Sequence, residues 1–239
     1  MEKLELVNIV SLSMAGRDSE NQDCVAFRDK GAVRLLVAAD GMGGSKGGGT
    51  ASQEVVNAVT EGFDRYSEPP NDEVFEEIKR RFEKHIGNDP SLSKMATTLT
   101  ACVISGDQCE YVHVGDSRIY HLRGEGLVSR TKDQTELQHL LDEKVISRAK
   151  AKRYPRKNVL LSVISLLNDF EIERGVFKLV SGDRLLVITD GIYNVLAKKE
   201  LVQLSVSSAS MEELVQSIKH EIITRGPVDD FSVVGYEHR

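Results

Sequence analysis

Three apolar segments of this chain end in the same way, and this shared ending constrains the fold more than any other feature. RLLVAADG (residues 34–41), YVHVGDS (111–117) and RLLVITDG (184–191) each run through apolar and β-branched residues into an Asp followed by Gly or Ser. This pattern predicts a strand that enters a tight turn. The first and third segments are near copies, which predicts similar geometry at two places rather than a repeat architecture.

Other segments complete a layered α/β or α+β domain. The third of three predicted helices begins with a capping box, in which Ser210 is followed three residues later by Glu213. Hydrophobic spacing predicts these helices over residues 51–66, 72–86 and 211–224. Strand-like composition occurs in five further segments, residues 4–11, 99–105, 119–122, 177–180 and 231–236. Consecutive strands predict antiparallel meanders, with the helices packed outside them.

Length and charge limit the domain organisation and the partners. The chain has 239 residues and no Pro/Ser-rich linker, which predicts a single domain over residues 1–239. The polar, Lys/Arg-rich segment 133–157 is expected to form an exposed flap with short helices. Because 37 Asp and Glu outnumber 31 Lys and Arg, the net charge of −6 disfavours nucleic acid or an anionic membrane as a partner.

No targeting segment is evident in the sequence. The longest stretch without a charged residue, residues 95–106, has 12 residues, whereas a membrane-spanning helix needs about 20 apolar ones. The N-terminal residues lack the basic region and apolar core of a secretory signal. A cytoplasmic location is therefore expected.

The cysteines argue against thiol chemistry. Cys24, Cys102 and Cys109 are odd in number and form no CxxC pair, which disfavours a disulfide framework or a thiolate metal site. A cysteine-dependent phosphatase would hold its thiolate in a Cys-x5-Arg loop. None of the three cysteines is followed by Arg six positions later.

Isolated acids at predicted strand ends are the strongest chemical signal. A lone Asp-Gly pair is ordinary turn chemistry. Several carboxylates that converge would repel one another unless cations lie between them. Oxygen ligands favour Mg²⁺ or Mn²⁺, and the six scattered His residues disfavour zinc. The acids in question are Asp23, Asp40, Asp116, Asp190 and the pair Asp229 and Asp230.

The order of these motifs resembles that of a known family. NQD, DGMGG, ATTLTA, VHVGDSRIY, LVITDG and DDFSVV follow one another between about residues 5 and 236. In that order they resemble the metal-dependent protein Ser/Thr phosphatases, the type 2C or PPM family, in its short bacterial form. The resemblance implies an α+β fold, a four-layer α-β-β-α sandwich of two mainly antiparallel sheets flanked by helices.

The resemblance also implies a metal centre with two ions and a possible third, Mn²⁺ or Mg²⁺. Asp40 would bridge both ions and the carbonyl of Gly41 would bind one of them. Asp190 and Asp229 would bind the other, and Asp23 would act mainly through metal-bound water. Asp116, together with Asp190, would hold the third and weaker ion.

The implied activity is hydrolysis of phosphoserine and phosphothreonine monoesters on proteins by a metal-activated water. The implied partner is a phosphorylated Ser/Thr protein, a companion Ser/Thr kinase or one of its targets. The enzyme is expected to act as a monomer.

Three positions depart from the family pattern. The Arg that contacts the substrate phosphate usually lies five residues before the Asp of the NQD motif, but Asp18 occupies that position and Arg17 lies six before. Arg17 is the candidate for the phosphate contact. Met42 stands where animal members have a His, as it does in bacterial members, and Asp230 stands where the family more often has Asn.

Two other functions compete with this interpretation. The Gly-rich residues 41–49 follow a strand, as in nucleotide-binding loops, but Lys46 follows Ser45, so no GxxxxGK[ST] motif exists. A catalytically weak phosphatase-like module with a regulatory or binding role is the second alternative. Its usual signature would be loss of the metal-binding acids, and all five are present.

Overall fold

The structure, a computed structural model, describes residues 8–16, 20–42 and 47–239. In these residues ten strands form two five-stranded sheets, and all neighbouring strands are antiparallel. The strands are β1 (Ile9–Met14), β2 (Asp23–Asp29), β3 (Val33–Asp40), β4 (Leu99–Ser105), β5 (Gln108–Val114), β6 (Arg118–Arg123), β7 (Gly126–Ser129), β8 (Glu173–Lys178), β9 (Arg184–Ile188) and β10 (Phe231–Glu237).

The strand order differs between the sheets. The first sheet has the order β1-β10-β9-β6-β7, and the second has the order β2-β3-β4-β5-β8. All three Asp-terminated strands of the sequence prediction are present as β3, β5 and β9. The strand predicted over residues 4–11 continues to Met14, and residues 4–7 lie outside the described residues.

The longer helices cover the outer faces of the sheets. They are α1 (Gly48–Tyr66), α2 (Asp72–Asn88), α3 (Glu136–Asp142), α4 (Arg148–Ala151), α5 (Asp190–Tyr193), α6 (Lys198–Ser207) and α7 (Met211–Arg225), with a 3₁₀ turn at Pro90–Leu92. The three predicted helices are confirmed as α1, α2 and α7. Ser210 caps α7 as predicted, but the Glu213 carboxylate accepts a hydrogen bond from the backbone of Ala209, one residue earlier than in a capping box.

Alternation along β3 shows how the layers form. Leu35 and Val37 pack with the buried side chains of α1 and α2, whereas Leu36 and Ala38 pack in the core between the sheets. A third core joins the first sheet to α6 and α7. The predicted four-layer α-β-β-α sandwich is therefore confirmed.

Some elements differ from the sequence prediction. The strand expected over residues 177–180 starts four residues earlier, at Glu173, because β8 is an edge strand that pairs with β5 up to His113. β2, β7, α5 and α6 were not predicted. Segment 133–157 contains the two short helices α3 and α4, as expected. Within the described residues, none of the helices combines the length and the apolar character of a membrane span.

Candidate metal centre

A cavity of about 450 Å³ opens at one end of the sandwich, where acidic residues from both sheets meet. Asp40 ends β3, Asp116 follows β5, and Asp190 follows β9. The wall of the cavity is formed by Glu20, Gln22, Asp40, Gly41, Met42, Thr98, Asp116, Asn158, Leu160, Asp190, Asp229 and Asp230. Five of the six predicted metal-binding residues therefore line one cavity, and Asp23 lies behind it.

Asp40 is fixed through its backbone. Its N–H donates to Thr98 Oγ1 at 3.0 Å, and its carbonyl accepts from Thr97 Oγ1 at 2.8 Å. Burial raises the pKa of Asp40 well above its ordinary value, and the charges of Asp23 and Asp190 raise it further. The hydrogen bonds leave the carboxyl group in a buried place surrounded by other acids.

Asp23 lies directly opposite Asp40 in the register of β2 and β3. Its Oδ2 accepts a hydrogen bond from Thr189 Oγ1 at 2.8 Å, while its Oδ1 is buried with no hydrogen-bond partner among the described residues. Burial raises the pKa of Asp23 to about 7 despite the hydroxyl donor. A buried carboxylate oxygen without a donor is costly, and a cation or a cation-bound water would satisfy it.

The glycines that follow the acids are required by backbone packing. A Cβ atom at Gly41 would lie 2.3 Å from the carbonyl oxygen of Gly48. A Cβ atom at Gly191 would lie 2.0 Å from the carbonyl oxygen of Asp230. The small residue after Asp40 and Asp190 therefore lets another part of the backbone approach the cavity closely.

Asp190 and Asp116 have neutral hydrogen-bond donors. Asp190 Oδ2 accepts from the Asn194 amide at 3.1 Å, and Asp116 Oδ2 accepts from the Tyr193 hydroxyl at 3.0 Å. Burial raises the pKa of Asp190 to about 7, with added repulsion from Asp116 and Asp229. Burial also raises the pKa of Asp116 to about 6.

Asp229 and Asp230 have different environments. Asp230 is buried, and its two carboxylate oxygens accept the backbone N–H groups of Gly16 at 2.8 Å and Gln22 at 2.7 Å. Asp229 is exposed, and its Oδ1 accepts the backbone N–H of Asp230. Asp230 therefore ties two chain segments together, which supports Asp229 as the ligand of the pair.

The carboxyl groups share the cavity without forming a closed cluster. In residues 8–16, 20–42 and 47–239, no group of three or more His, Cys, Asp or Glu side chains has the arrangement of a formed metal site. Like charges that share a cavity repel one another, and this repulsion helps to raise the pKa values of Asp40 and Asp190. This all-oxygen donor set is largely buried and has no basic side chain in the described part of the cavity wall, which fits a hard divalent cation such as Mg²⁺ or Mn²⁺.

Sequence comparison decides the family. Residues 12–226 match the protein phosphatase 2C family. The chain belongs to this family. Protein phosphatase PhpP of Streptococcus pneumoniae is 27% identical over 231 residues, which cover 90% of each chain.

Solved phosphatase structures agree with this fold. The serine/threonine phosphatase of S. agalactiae is 28% identical and has a TM-score of 0.83, with 96% of this chain and 99% of that chain covered. The catalytic domain of the serine/threonine phosphatase PstP, solved with two manganese ions, is 27% identical and has a TM-score of 0.79, with 97% and 98% covered. The predicted activity is thereby confirmed: this 2C phosphatase is a metal-dependent protein serine/threonine phosphatase.

Two positions discussed for the 2C phosphatase have different outcomes. Arg17, the candidate for the phosphate contact, lies outside the described residues. Met42 lines the cavity and is 36% exposed, and its thioether carries no proton to donate. A proton donor in the reaction must therefore come from a group other than residue 42.

Several residues that shape the site were missed in the sequence. Thr97 and Thr98 belong to the ATTLTA motif, yet their hydrogen bonds to Asp40 depend on the pairing of β3 with β4. Tyr193 was missed because it lies in α5, a helix of only four residues. Its position three residues after Asp190 places it on the same helical turn, which is the signal that could have identified it.

Tyr193 also connects Asp116 to the base of segment 133–157. The Arg118 guanidinium lies 3.4 Å from the centre of the Tyr193 ring, and Arg118 Nε donates to Asp133 Oδ1 at 2.8 Å. The Arg118 and Asp133 side chains are both about one-fifth exposed. Arg118 therefore has a structural role between Tyr193 and Asp133.

Proposed function

We propose that this 2C phosphatase hydrolyses phosphoserine and phosphothreonine on proteins at a centre of two divalent cations, Mn²⁺ or Mg²⁺, with a possible third. The observation that carries the proposal is the cavity in which Asp40, Asp116, Asp190 and Asp229 meet without basic partners in the described part of its wall. Burial together with mutual repulsion makes such a cavity unfavourable unless cations bind to it.

The ligand assignment follows from the surroundings of each acid. Asp40 would bridge two ions, Gly41 would offer its carbonyl oxygen to one, and Asp190 and Asp229 would hold the other. Asp23, behind the wall, would act mainly through a bound water, and its buried Oδ1 supports this role. Asp116 would hold the third ion with Asp190.

Bound divalent cations supply an acidified water as nucleophile and neutralise charge on the phosphoryl oxygens. The protein's own residues position the acids. Thr97 and Thr98 hold the Asp40 backbone, Thr189 holds Asp23, and Tyr193 orients Asp116. Carboxyl groups with raised pKa values keep protons near neutral pH in the cation-free protein and release them when cations bind.

Arg17 is proposed to contact the substrate phosphate. The proposal rests on the resemblance to the family, and the described residues Gly16 and Gln22 both donate to Asp230 beside the cavity. Replacement of Arg17 by Ala should raise KM for a small phosphoester. An unchanged KM would rule out this role.

The remaining parts of the proposal concern the biological setting. The substrate would be the target of a companion Ser/Thr kinase, or the kinase itself. The enzyme would act as a cytoplasmic monomer, with residues 1–239 as one phosphatase domain and residues 133–157 as its flap.

Hydrolysis assays test the proposal. Para-nitrophenyl phosphate and a phosphothreonine peptide should both be hydrolysed with Mn²⁺, and a chelator should abolish the activity. Asp40→Asn should lower kcat/KM by about a thousandfold, because a residue that holds cations is removed from the reaction site. Asp64→Asn is the matched control, since Asp64 is half exposed on α1 and lies outside the cavity wall.

Two outcomes would contradict the proposal. Activity that is insensitive to the chelator and to Asp40→Asn would reject the metal site. A folded protein that binds Mn²⁺ and the peptide but hydrolyses neither substrate would instead support the catalytically weak module.

A further inference from the structure

Residues 144–157, here called the basic segment, carry an unusual concentration of positive charge. Seven of the chain's 31 Lys and Arg residues lie there, and the segment contains no Asp or Glu. The chain as a whole has a net charge of −6, so the basic segment opposes the general sign. All seven side chains belong to exposed residues: Lys144, Arg148, Lys150, Lys152, Arg153, Arg156 and Lys157.

One of the seven has a structural task. Arg156 donates from Nε and Nη2 to the Glu136 carboxylate at 2.9 and 2.7 Å, and the Tyr154 hydroxyl donates to the same carboxylate. These contacts fasten the end of the basic segment to the first turn of α3. Arg156 is therefore needed for local structure.

The other six bases form no ion pair with any described residue. Three bases on α2 differ in this respect. Lys79, Arg80 and Arg81 each form an ion pair with a Glu on the same helix. Exposed bases that form no ion pair keep a positive field toward solvent. This field is available to an external anionic group.

The basic segment is joined to the wall of the acid cavity. Asn158 and Leu160 line that cavity and follow Lys157 directly in the chain. The same stretch is tied down by an isolated bridge between Thr135 and Leu160 and by another between Thr97 and Ile164. Thr97 in turn bridges to Gly41, so backbone contacts fix the end of the basic segment at the rim of the cavity.

We propose that the basic segment is a docking surface for acidic residues that flank the phosphorylated Ser or Thr of the substrate. This inference rests on the proposed function. A phosphorylated, acidic protein segment approaches a cavity walled by aspartates, so a rim of opposite charge favours its capture. Lys and Arg at the rim would bind flanking Asp, Glu or further phosphate groups while the reacting phosphate enters the cavity.

The surface should act mainly on capture of the substrate. Exposed charges raise association rates by about tenfold or more, and salt screens them over about 10 Å at 0.1 M ionic strength. The preference for acidic substrates should therefore appear in kcat/KM, be largest at low salt and decline as salt is added.

The test compares substrates with a fixed phosphothreonine core. Three peptides of equal length carry Glu, Ala or Lys on both sides of the phosphothreonine, and para-nitrophenyl phosphate is the small substrate. The holoenzyme with Mn²⁺ should prefer the Glu peptide to the Ala peptide by about tenfold in kcat/KM at low salt. The Lys peptide should be the poorest substrate.

The variant Lys150→Glu/Lys152→Glu/Arg153→Glu reverses the field and leaves Arg156 in place. It should erase the preference for the Glu peptide, whereas para-nitrophenyl phosphate, which is too small to reach the segment, should be hydrolysed at the wild-type rate. The control Lys84→Glu/Lys178→Glu/Lys199→Glu makes the same change in net charge on α2, β8 and α6. It should keep the wild-type preference.

Other results would overturn the inference. These are equal rates on the three peptides in the active wild-type enzyme, or an equal loss on all substrates in the first variant. Binding to phosphatidylglycerol vesicles that depends on the basic segment, without any peptide preference, would assign the surface to a membrane. Failure of the proposed function is distinguishable, because the wild-type enzyme would then hydrolyse neither the peptides nor para-nitrophenyl phosphate.

Discussion

The two ends of β9 hold an aspartate each, and the two residues have opposite environments. Asp183 immediately precedes the strand, and Asp190 follows it by two residues. Asp183 has basic and backbone donors around it, whereas Asp190 has other acids. Asp183 is satisfied by protein partners, whereas Asp190 is a proposed cation ligand.

Asp183 is fully buried and fully partnered. Arg123 Nε and Nη2 donate to its two oxygens, both at 2.7 Å, the backbone N–H of Val180 donates at 2.8 Å, and His121 Nε2 lies 2.8 Å away. Burial by itself would raise the pKa of Asp183, but the hydrogen bonds from Arg123 and Val180 outweigh it and lower the pKa to about 2. This carboxylate is charged and satisfied without any ligand.

Among the described residues Asp190 has one amide donor, Asn194, and its neighbours Asp116 and Asp229 repel it. Burial and repulsion hold its pKa at about 7. Two acids separated by one short strand thus differ by several pKa units, because their partners differ and not because one is buried and the other is exposed. The difference supports the proposed cation site at the Asp190 end of the strand.

The largest effect on activity is expected at Asp190, which follows β9. Asp190→Asn should lower kcat/KM by about a thousandfold, because it removes a proposed ligand. In a chelator at pH of about 7.5, the same variant should be more stable than the wild type by about 1–2 kcal/mol, since a repelled buried charge is removed. Kinetics with Mn²⁺ and denaturant unfolding without it measure the two effects; a less stable metal-free variant would contradict the comparison.

The matched substitution at Asp183 should have the opposite effects, because it should lower stability and leave activity unchanged. Asp183→Asn should lower the free energy of unfolding by about 1–3 kcal/mol, because the buried amide cannot accept all the hydrogen bonds that Arg123 and Val180 donate to the carboxylate. Activity per folded molecule should be retained. A variant with wild-type stability in denaturant unfolding would show that the Asp183 contacts do not stabilise the fold.

The pH dependence of stability should separate the acids further. Asp190 keeps its proton up to a pH of about 7 when folded, but only to its ordinary value of 3.8 when unfolded. The metal-free folded state therefore binds more protons between these values and loses stability as the pH rises, at about 1.4 kcal/mol per pH unit for one proton. Asp183 has the opposite sign, since its stabilisation is present above 3.8 and is lost as the pH falls toward about 2.

The measurement is the difference in unfolding free energy between the wild type and Asp190→Asn, taken from pH of about 5 to 7 in a chelator. The buried histidines His113 and His121, whose pKa values are lowered by burial, contribute a slope of opposite sign that cancels in the difference. The wild type should lose stability relative to the variant as the pH rises. If this difference in unfolding free energy did not change with pH, the pKa of Asp190 would not be raised in the folded protein.

Tyr193 offers a smaller test at the cavity. Tyr193→Phe removes the donor to Asp116 and should weaken binding of the most weakly held cation about tenfold, the size expected for a group that orients a ligand. Mn²⁺ titration of the protein, without substrate, is the readout. Tyr120→Phe is the control, since the Tyr120 hydroxyl accepts from Arg118 and makes no contact with an acid of the cavity; equal effects in both variants would point to Arg118 instead.

The sequence predicted most of the aspartates that line the cavity, because the pattern that marks them is local. Each strand that runs into Asp and a small residue could be recognised from a few positions, and β3, β5 and β9 were found in this way. Antiparallel pairing then brings their ends to one side of the sandwich. The resemblance to the phosphatase family added the roles of the individual acids.

The hydrogen-bonded environment of Asp183 could not be predicted in the same way. Asp183 lies in a Gly-Asp turn that is typical of loops, and its partners Arg123 and His121 lie about sixty residues earlier in the chain. β2 was missed because its seven residues include three charged ones, and its pairing with β3 sets its bounds. Long-range contacts of this kind depend on topology, which single-sequence patterns do not contain.

We infer that the aspartates of the cavity bind divalent cations. Calorimetric titration of the metal-free protein with Mn²⁺ at pH of about 6.5, in two buffers of different ionisation enthalpy, tests it directly. At least two ions should bind per chain, the number in the related PstP catalytic domain. Protons should be released on binding, and Asp40→Asn should abolish the release. Two results would contradict this inference. One is that the wild-type protein does not bind Mn²⁺. The other is that it binds Mn²⁺ without releasing protons and that Asp40→Asn binds Mn²⁺ equally well.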